Sequence, residues 1–353
     1  MKIINLGTYP PPFGGVSIHI KRLAEYLSAH RVSNMVIDIS GSRPAEKIGK
    51  NIKLMTKRSV LSLIFHKKSI IHAHNYSIGL LITYFILSFR HYVILSFHNE
   101  RFIINFSKNG KLIFRVYKLL VNCYDKIVVD SEKCRELAGQ LINDKDKLAV
   151  IPEFISPEII PPIKLKLITD IRKQHQYIIS SNAFQLSFFE GKDLYGVDLL
   201  IELANRLRNL QKMDVAFLFL LPNIGDKKYY EELVNKLRCY NLEERFFFLT
   251  DMEEHIKEAS SIWNISDVII RATNTDGNSL TIWEALSLQV PVIASDCVER
   301  PKGTILFKNR DIDDLTEKTS RVLLNIKDIR DGLRAYPIKN NADEFLQLYD
   351  SFK

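Results

Sequence analysis

The chain has 353 residues, 46% hydrophobic and 25% charged, ordinary globular proportions with length for two separate cores. Its net charge of +8 is unevenly shared: residues 1–160 carry 23 Lys and Arg against 12 Asp and Glu, a net of +11, and the remainder carries 26 against 29, a net of −3. Cys123, Cys134, Cys239 and Cys297 lack metal-ligand spacing, so a reducing cytoplasm is the simpler compartment.

Lys2-Ile3-Ile4-Asn5-Leu6 opens the chain as a strand, with no cleavable leader expected. The loop Tyr9-Pro10-Pro11-Pro12-Phe13-Gly14-Gly15 follows, then a helix over Ser17–Ala29 whose Ile20, Leu23 and Leu27 recur at helical spacing. Strands are predicted at Met35–Ile39, Ile70–Ala73, Val93–Phe97, Lys126–Val129 and Leu148–Ile151, with helices between them. That alternation predicts an α/β fold with a doubly wound parallel sheet. The apolar run Ile78–Phe89 is too short to span a bilayer.

After the proline-marked stretch Pro152–Pro162 a second alternation begins, with strands at Tyr177–Ser181, Val215–Leu221, Phe246–Leu249 and Asp267–Ile270. Two Rossmann-like halves facing each other across a cleft are the expectation. The domains are placed at 1–157 and 158–335, with a C-terminal helix in 336–353 that returns toward the first domain.

His72 and His74 close one first-half strand and His98 another, so they belong at the carboxyl edge where such folds bind ligands. No carboxylate and histidine set has ligand spacing on one element, and no metal is expected. Nucleic acid is the weakest reading of the basic first half, because no recognition helix, zinc finger or aromatic RNA motif accompanies it. Between Arg101 and Cys123, Lys108, Lys111, Arg115 and Lys118 interleave with apolar and aromatic residues, a pattern of either a membrane-surface patch or a core-facing helix with a basic edge. A dinucleotide fingerprint Gly-x-Gly-x-x-Gly is absent, although Asp38 sits where a ribose-binding acid would stand.

The stretch Ile269–Asp296 carries the sharpest signal. Asp276-Gly277-Asn278-Ser279 reads as a turn with Ser279 at a helix N-cap, followed by Glu284-Ala285-Leu286 and the strand Val290–Ala294. A helix N-terminus at the carboxyl edge of a parallel sheet favours an anion, and Asp276 and Glu284 bracket that point with carboxylates. The arrangement suits a ligand with both phosphate and hydroxyl groups.

This motif resembles the donor site of the large retaining glycosyltransferase family with the GT-B fold, the fourth glycosyltransferase family: an acidic residue, Gly, seven intervening residues in all, then Glu-Ala. Gly14-Gly15-Val16, His98 and Pro291–Asp296 are similar to its other motifs, so the resemblance covers nearly the whole chain. It implies transfer of a sugar from a nucleoside-diphosphate donor, a UDP-sugar first, to a hydroxyl of a lipid-linked or oligosaccharide acceptor in surface polysaccharide biosynthesis. It implies no cofactor or metal, and an enzyme peripheral on the inner face of a bacterial membrane with an anionic surface. His98, Asp276 and Glu284 are the implied catalytic residues, Glu284 on the ribose and Asp276 on the sugar hydroxyls. Gly14, Gly15, Gly277, Asn278, Ser279 and Leu280 are implied on the donor, and His19, His74, Asn99 and Glu100 on the acceptor side.

Three positions depart from the family: Asp276 stands for its usual Glu, Tyr195 for its phosphate-binding Lys, and Asn182, Ala183 or Phe184 for its Arg. A diphosphate still needs a cation. Lys192 is the first expectation, with Arg271 and Arg300 as alternates. The rival functions are a nucleotide-sugar epimerase or hydrolase on the same fold, and a non-catalytic subunit of a membrane glycan assembly.

Overall fold

A computed structural model describes residues 1–11, 13–41, 51–98, 102–103, 106, 110–157, 160, 163, 166–250, 256 and 258–353. The chain divides into two units, Met1–Glu158 with Lys339–Lys353, and Ile159–Ile338. Each is built on a parallel sheet covered by helices.

In the first unit β1 (Ile3–Gly7), β2 (Asn34–Asp38), β3 (Ile52–Leu54), β4 (Ile70–Ala73), β5 (Tyr92–Phe97), β6 (Lys126–Val129) and β7 (Leu148–Val150) align in the order β3-β2-β1-β4-β5-β6-β7. Every pairing is parallel, and the central strands are buried on both faces, which is why they read as near-continuous apolar runs. Helix α1 (Gly15–Ala29) buries Ile20, Leu23 and Leu27, the stripe its spacing predicts. Helices α2 (Lys57–Ile64), α3 (Ile78–Ser88) and α4 (Gly110–Asn122) also belong to this unit. The strand order reverses between β1 and β4, so Gly7 and His74 mark the point where such a sheet opens a crevice. A Cβ on Gly7 would come within 2.4 Å of Ile20 Cδ1, so glycine lets α1 close on that strand end. The C-terminal helix Ala342–Asp350 joins the core of this unit, burying Phe345 and Tyr349 against a cluster that includes Ile3, Leu23, Ile70 and Ile94.

In the second unit β8 (Tyr177–Asn182), β9 (Val215–Leu220), β10 (Phe246–Leu249), β11 (Val268–Arg271), β12 (Val292–Ser295) and β13 (Ile305–Phe307) form a parallel sheet in the order β10-β9-β8-β11-β12-β13. Its reversal lies between β8 and β11. Helix α5 (Val197–Asn209) follows a hairpin of Phe188–Phe189 and Lys192–Asp193, and α6 (Leu280–Ser287) follows the turn after β11. Sequence periodicity passed over β3, β13 and this hairpin, since two or three residues are too few to show an alternation.

Candidate active site

The reversal between β8 and β11 brings Asn182 and Arg271, the last residues of the two strands, side by side. Arg271 donates through Nη1 to the Asn182 carbonyl at 3.2 Å, and through Nε and Nη2 to Asp276 Oδ2 and Oδ1 at 2.9 and 3.1 Å. Arg300 reaches the same carboxylate from the loop after β12, with Nη1 2.8 Å from Asp276 Oδ2 and Nη2 3.1 Å from Thr273 Oγ1. Thr273 Oγ1 and the Gly277 N–H donate to Asp276 as well. Burial by itself would raise the Asp276 pKa, but the two guanidinium groups outweigh it and hold the carboxyl at about 2. Two buried cations thus share one carboxylate, and Asp276 is the only acid paired with either of them among the described residues.

Helix α6 starts directly after this cluster. Ser279 occupies its N-cap, yet its side chain accepts no capping hydrogen bond, so the expectation that the hydroxyl caps the helix is corrected. The Ile282 amide donates to the Ser279 carbonyl at 3.1 Å, which leaves the Leu280 and Thr281 amides of the first turn to another acceptor. A Cβ at Gly277 would meet nothing within 4 Å, which leaves open space beside the backbone. Asn278 Oδ1 accepts from Trp283 Nε1 at 2.5 Å, bracing the turn on its own helix. Glu284, one turn further, is buried, and its Oε2 accepts from Trp263 Nε1 at 2.6 Å. The indole fixes one edge of that carboxylate.

Lys192 stands exposed on the hairpin, and no hydrogen bond or ion pair joins it to the Asp276 cluster among the described residues. Lys192, the first expectation, thus lies apart from the Asp276 cluster, and the two alternates, Arg271 and Arg300, lie within it. Asp193, the neighbour of Lys192, turns inward: Oδ1 accepts from the Tyr195 and Gly196 amides and Oδ2 from the Val197 amide at 2.8 Å, closing the N-terminus of α5 with a carboxylate of the chain itself. Gly196 makes this approach possible. At φ +69° it adopts a conformation that side chains disfavour, and a Cβ there would lie 2.3 Å from the Ala272 carbonyl oxygen.

In the first unit the strand-end histidines form one buried network. His98 Nδ1 lies 2.6 Å from Glu153 Oε1, and its Nε2 lies 3.0 Å from His74 Nδ1. His72 bridges Tyr349 Oη at 2.6 Å and Ser96 Oγ at 2.7 Å, and His19 Nδ1 meets the Glu153 carbonyl at 2.8 Å. Burial, with help from neighbouring imidazoles, pushes His72 and His74 well below the ordinary histidine range and His19 to about 4. The three are neutral at physiological pH. His19 and His74, expected on the acceptor side, are buried here among side chains of their own unit. Gly14 and Gly15 are exposed, and a Cβ on Gly14 would meet nothing within 4 Å. Asp38 spends its carboxylate on the Tyr9 and Ser40 amides and the Ser40 hydroxyl. Asn99 and Glu100 lie outside the described residues.

The cluster at Asp276 and the helix after it fall inside residues 188–325. This segment matches the glycosyl transferases group 1 family. Over the whole chain the solved structures most like it include HepE (Alr3699) of Anabaena in complex with UDP, at 16% identity and TM-score 0.67 over 99% of this chain and 100% of that one. The same protein in complex with UDP-glucose aligns at 15% identity and TM-score 0.65 over the same shares, and a glycosyltransferase from Rickettsia africae ESF-5 at 15% and 0.67 over 99% and 98%. No curated protein matches the chain in sequence. At these identities the likeness is one of fold, and the fold is GT-B.

Four residues that shape the GT-B chain's histidine cluster and the helices beside the Asp276 cluster escaped sequence reasoning: Trp263, Glu153, Asp193 and Tyr349. Trp263 is 21 residues from Glu284 and Glu153 is 55 from His98, separations at which no local pattern pairs two side chains. The C-terminal Tyr349 meets His72 only because the last helix returns to the first unit.

Proposed function

We propose that the chain is a retaining glycosyltransferase that moves a sugar from a UDP-sugar to a hydroxyl of a membrane-associated glycan acceptor, needing no cofactor. The observation that carries this reading is the pair of buried guanidinium groups, Arg271 and Arg300, served among the described residues by the single carboxylate of Asp276 beside the first turn of α6. Buried charge is costly unless compensated, so a surplus cation in such a place calls for an anion from outside. A diphosphate supplies it, and as the glycosidic bond breaks the departing diphosphate gains the negative charge that guanidinium groups and helix amides stabilise. The glycosyl transferases group 1 match over this segment and the UDP complexes of HepE support the same donor class.

In this reading Arg271 and Arg300 replace the family's absent Arg and Lys, Glu284 takes the donor ribose with its carboxylate steadied by Trp263, and His98 attends the transferred sugar. Calorimetric titration tests it with UDP and uridine in parallel. Arg300→Met is expected to weaken UDP by roughly tenfold or more, the worth of one charge-assisted hydrogen bond, while uridine is nearly untouched. Lys192→Met is expected to change neither. Equal loss for UDP and uridine would remove the arginine pair from the diphosphate, and no binding of UDP by the native chain would favour a non-catalytic subunit.

A further inference from the structure

Helices α2, α3 and α4 lie side by side on the first unit, α3 between the other two. They carry five Lys and Arg and no Asp or Glu, and over residues 51–124 the ratio is eleven to one. Helix α3 has two apolar faces. Leu81, Tyr84 and Leu87 are buried, while Ile78, Ile82, Ile86 and Phe89 follow one another at helical spacing on the outside, Phe89 79% exposed. Phe65, which caps α2, is 77% exposed, and Leu112 of α4 75%. Half of the large apolar side chains exposed among the described residues, nine of eighteen, stand on these three helices or their C-caps. Lys111 and Arg115 are exposed on α4 beside Leu112. A contiguous exposed apolar surface with a one-signed charged rim is uncommon on a soluble protein and marks a contact surface.

We propose that this face, with the outer side of α3 at its centre, seats the protein on an anionic lipid bilayer. Apolar side chains enter the boundary of headgroups and acyl chains, and the surrounding Lys and Arg meet the lipid charge. A second copy of the chain is the poorer occupant, because a twofold contact through this face would set cationic helices against cationic helices. The inference rests on the reading above only for the location of the acceptor; the binding assay below contains neither donor nor acceptor.

Sedimentation of the full chain with phosphatidylglycerol vesicles and with phosphatidylcholine vesicles tests it, UDP binding being followed on the same preparations. The native chain is expected to bind phosphatidylglycerol vesicles, less tightly as salt rises, and phosphatidylcholine weakly. Replacing Ile82, Ile86 and Phe89 together with Ser should reduce binding at least tenfold. Replacing Lys111, Arg115 and Lys118 together with Gln should reduce it roughly 100-fold at low salt. All six replacements should leave UDP binding as it was. Equal binding to both lipids, or native-like binding by the serine variant, would overturn the proposal. So would a native dimer that the serine variant converts to monomer without either form binding vesicles. Vesicle binding by a chain that ignores UDP would keep the membrane face and remove the donor.

Discussion

Arg271 grips Asp276 along both edges of the carboxylate, Nε to Oδ2 at 2.9 Å and Nη2 to Oδ1 at 3.1 Å, and Arg300 adds a third charged contact at 2.8 Å. The acid five residues past the strand end is thus the counter-ion of the strand end itself. A ligand that takes the guanidinium groups competes with Asp276 for them.

The same contact makes Asp276 a stability element with a defined pH window. Its carboxyl is held at about 2 in the folded chain against an ordinary 3.8, so its contribution is present above about pH 4 and is lost as pH falls through about 2. The shift corresponds to on the order of 2 kcal/mol at neutral pH. Asp276→Asn leaves two buried cations uncompensated and should cost about 3 to 5 kcal/mol there. Urea midpoints of the two proteins should converge as the pH is lowered from 6 toward 2; a difference that stays constant would show that the ion pairs are not its source.

Glu284 is expected to serve the donor. With its carboxylate held by Trp263 in a buried place, Glu284→Gln should weaken UDP-sugar binding or turnover by roughly tenfold or more. Trp263→Phe, which keeps the acid and removes only its indole donor, should act in the same direction and less strongly. Native kinetics in a folded Glu284→Gln protein would return this residue to a structural role.

The histidine cluster makes the first unit sensitive to mild acid. His19 titrates at about 4 in the folded chain and at about 6.5 unfolded, so the unfolded state takes up the proton first and stability falls as pH drops from 6.5 to 4. For His19 alone the loss is on the order of 3 kcal/mol, and His72 and His74 shift in the same direction. His98, Glu153 and Arg22 are the charged or titratable groups that act on His19. Thermal midpoints measured between pH 7 and 4 should fall less steeply in His19→Phe than in the native chain.

Gly196→Ala should destabilise the second unit by more than an ordinary surface change. The φ of +69° costs about 1 kcal/mol for alanine, and the contact with the Ala272 carbonyl must be relieved by moving α5 or β11. Because Arg271 precedes Ala272, a loss of UDP affinity should accompany the fall in thermal midpoint.

By itself the sequence determined the class of fold and most of its elements. Strands at Ile70–Ala73, Lys126–Val129 and Phe246–Leu249 and the helix ending at Ala29 follow from apolar runs and helical spacing, which depend only on neighbours along the chain. It also located Asp276, Gly277 and Glu284 as one turn and one helix, since a glycine turn that opens a helix is a local pattern. Only the tertiary structure decided which cations stand there. As letters Lys192 comes first and Arg300 is an alternate, but the hairpin leaves Lys192 exposed, while the loop after β12 returns Arg300 across 24 residues to Asp276. Pairing of His98 with Glu153, of Glu284 with Trp263 and of His72 with Tyr349 belongs to the same class of fact. Partners on separate helices, loops and strand ends are set by strand order and by how the helices pack on the sheet, and neither is written in the spacing of residues along one element.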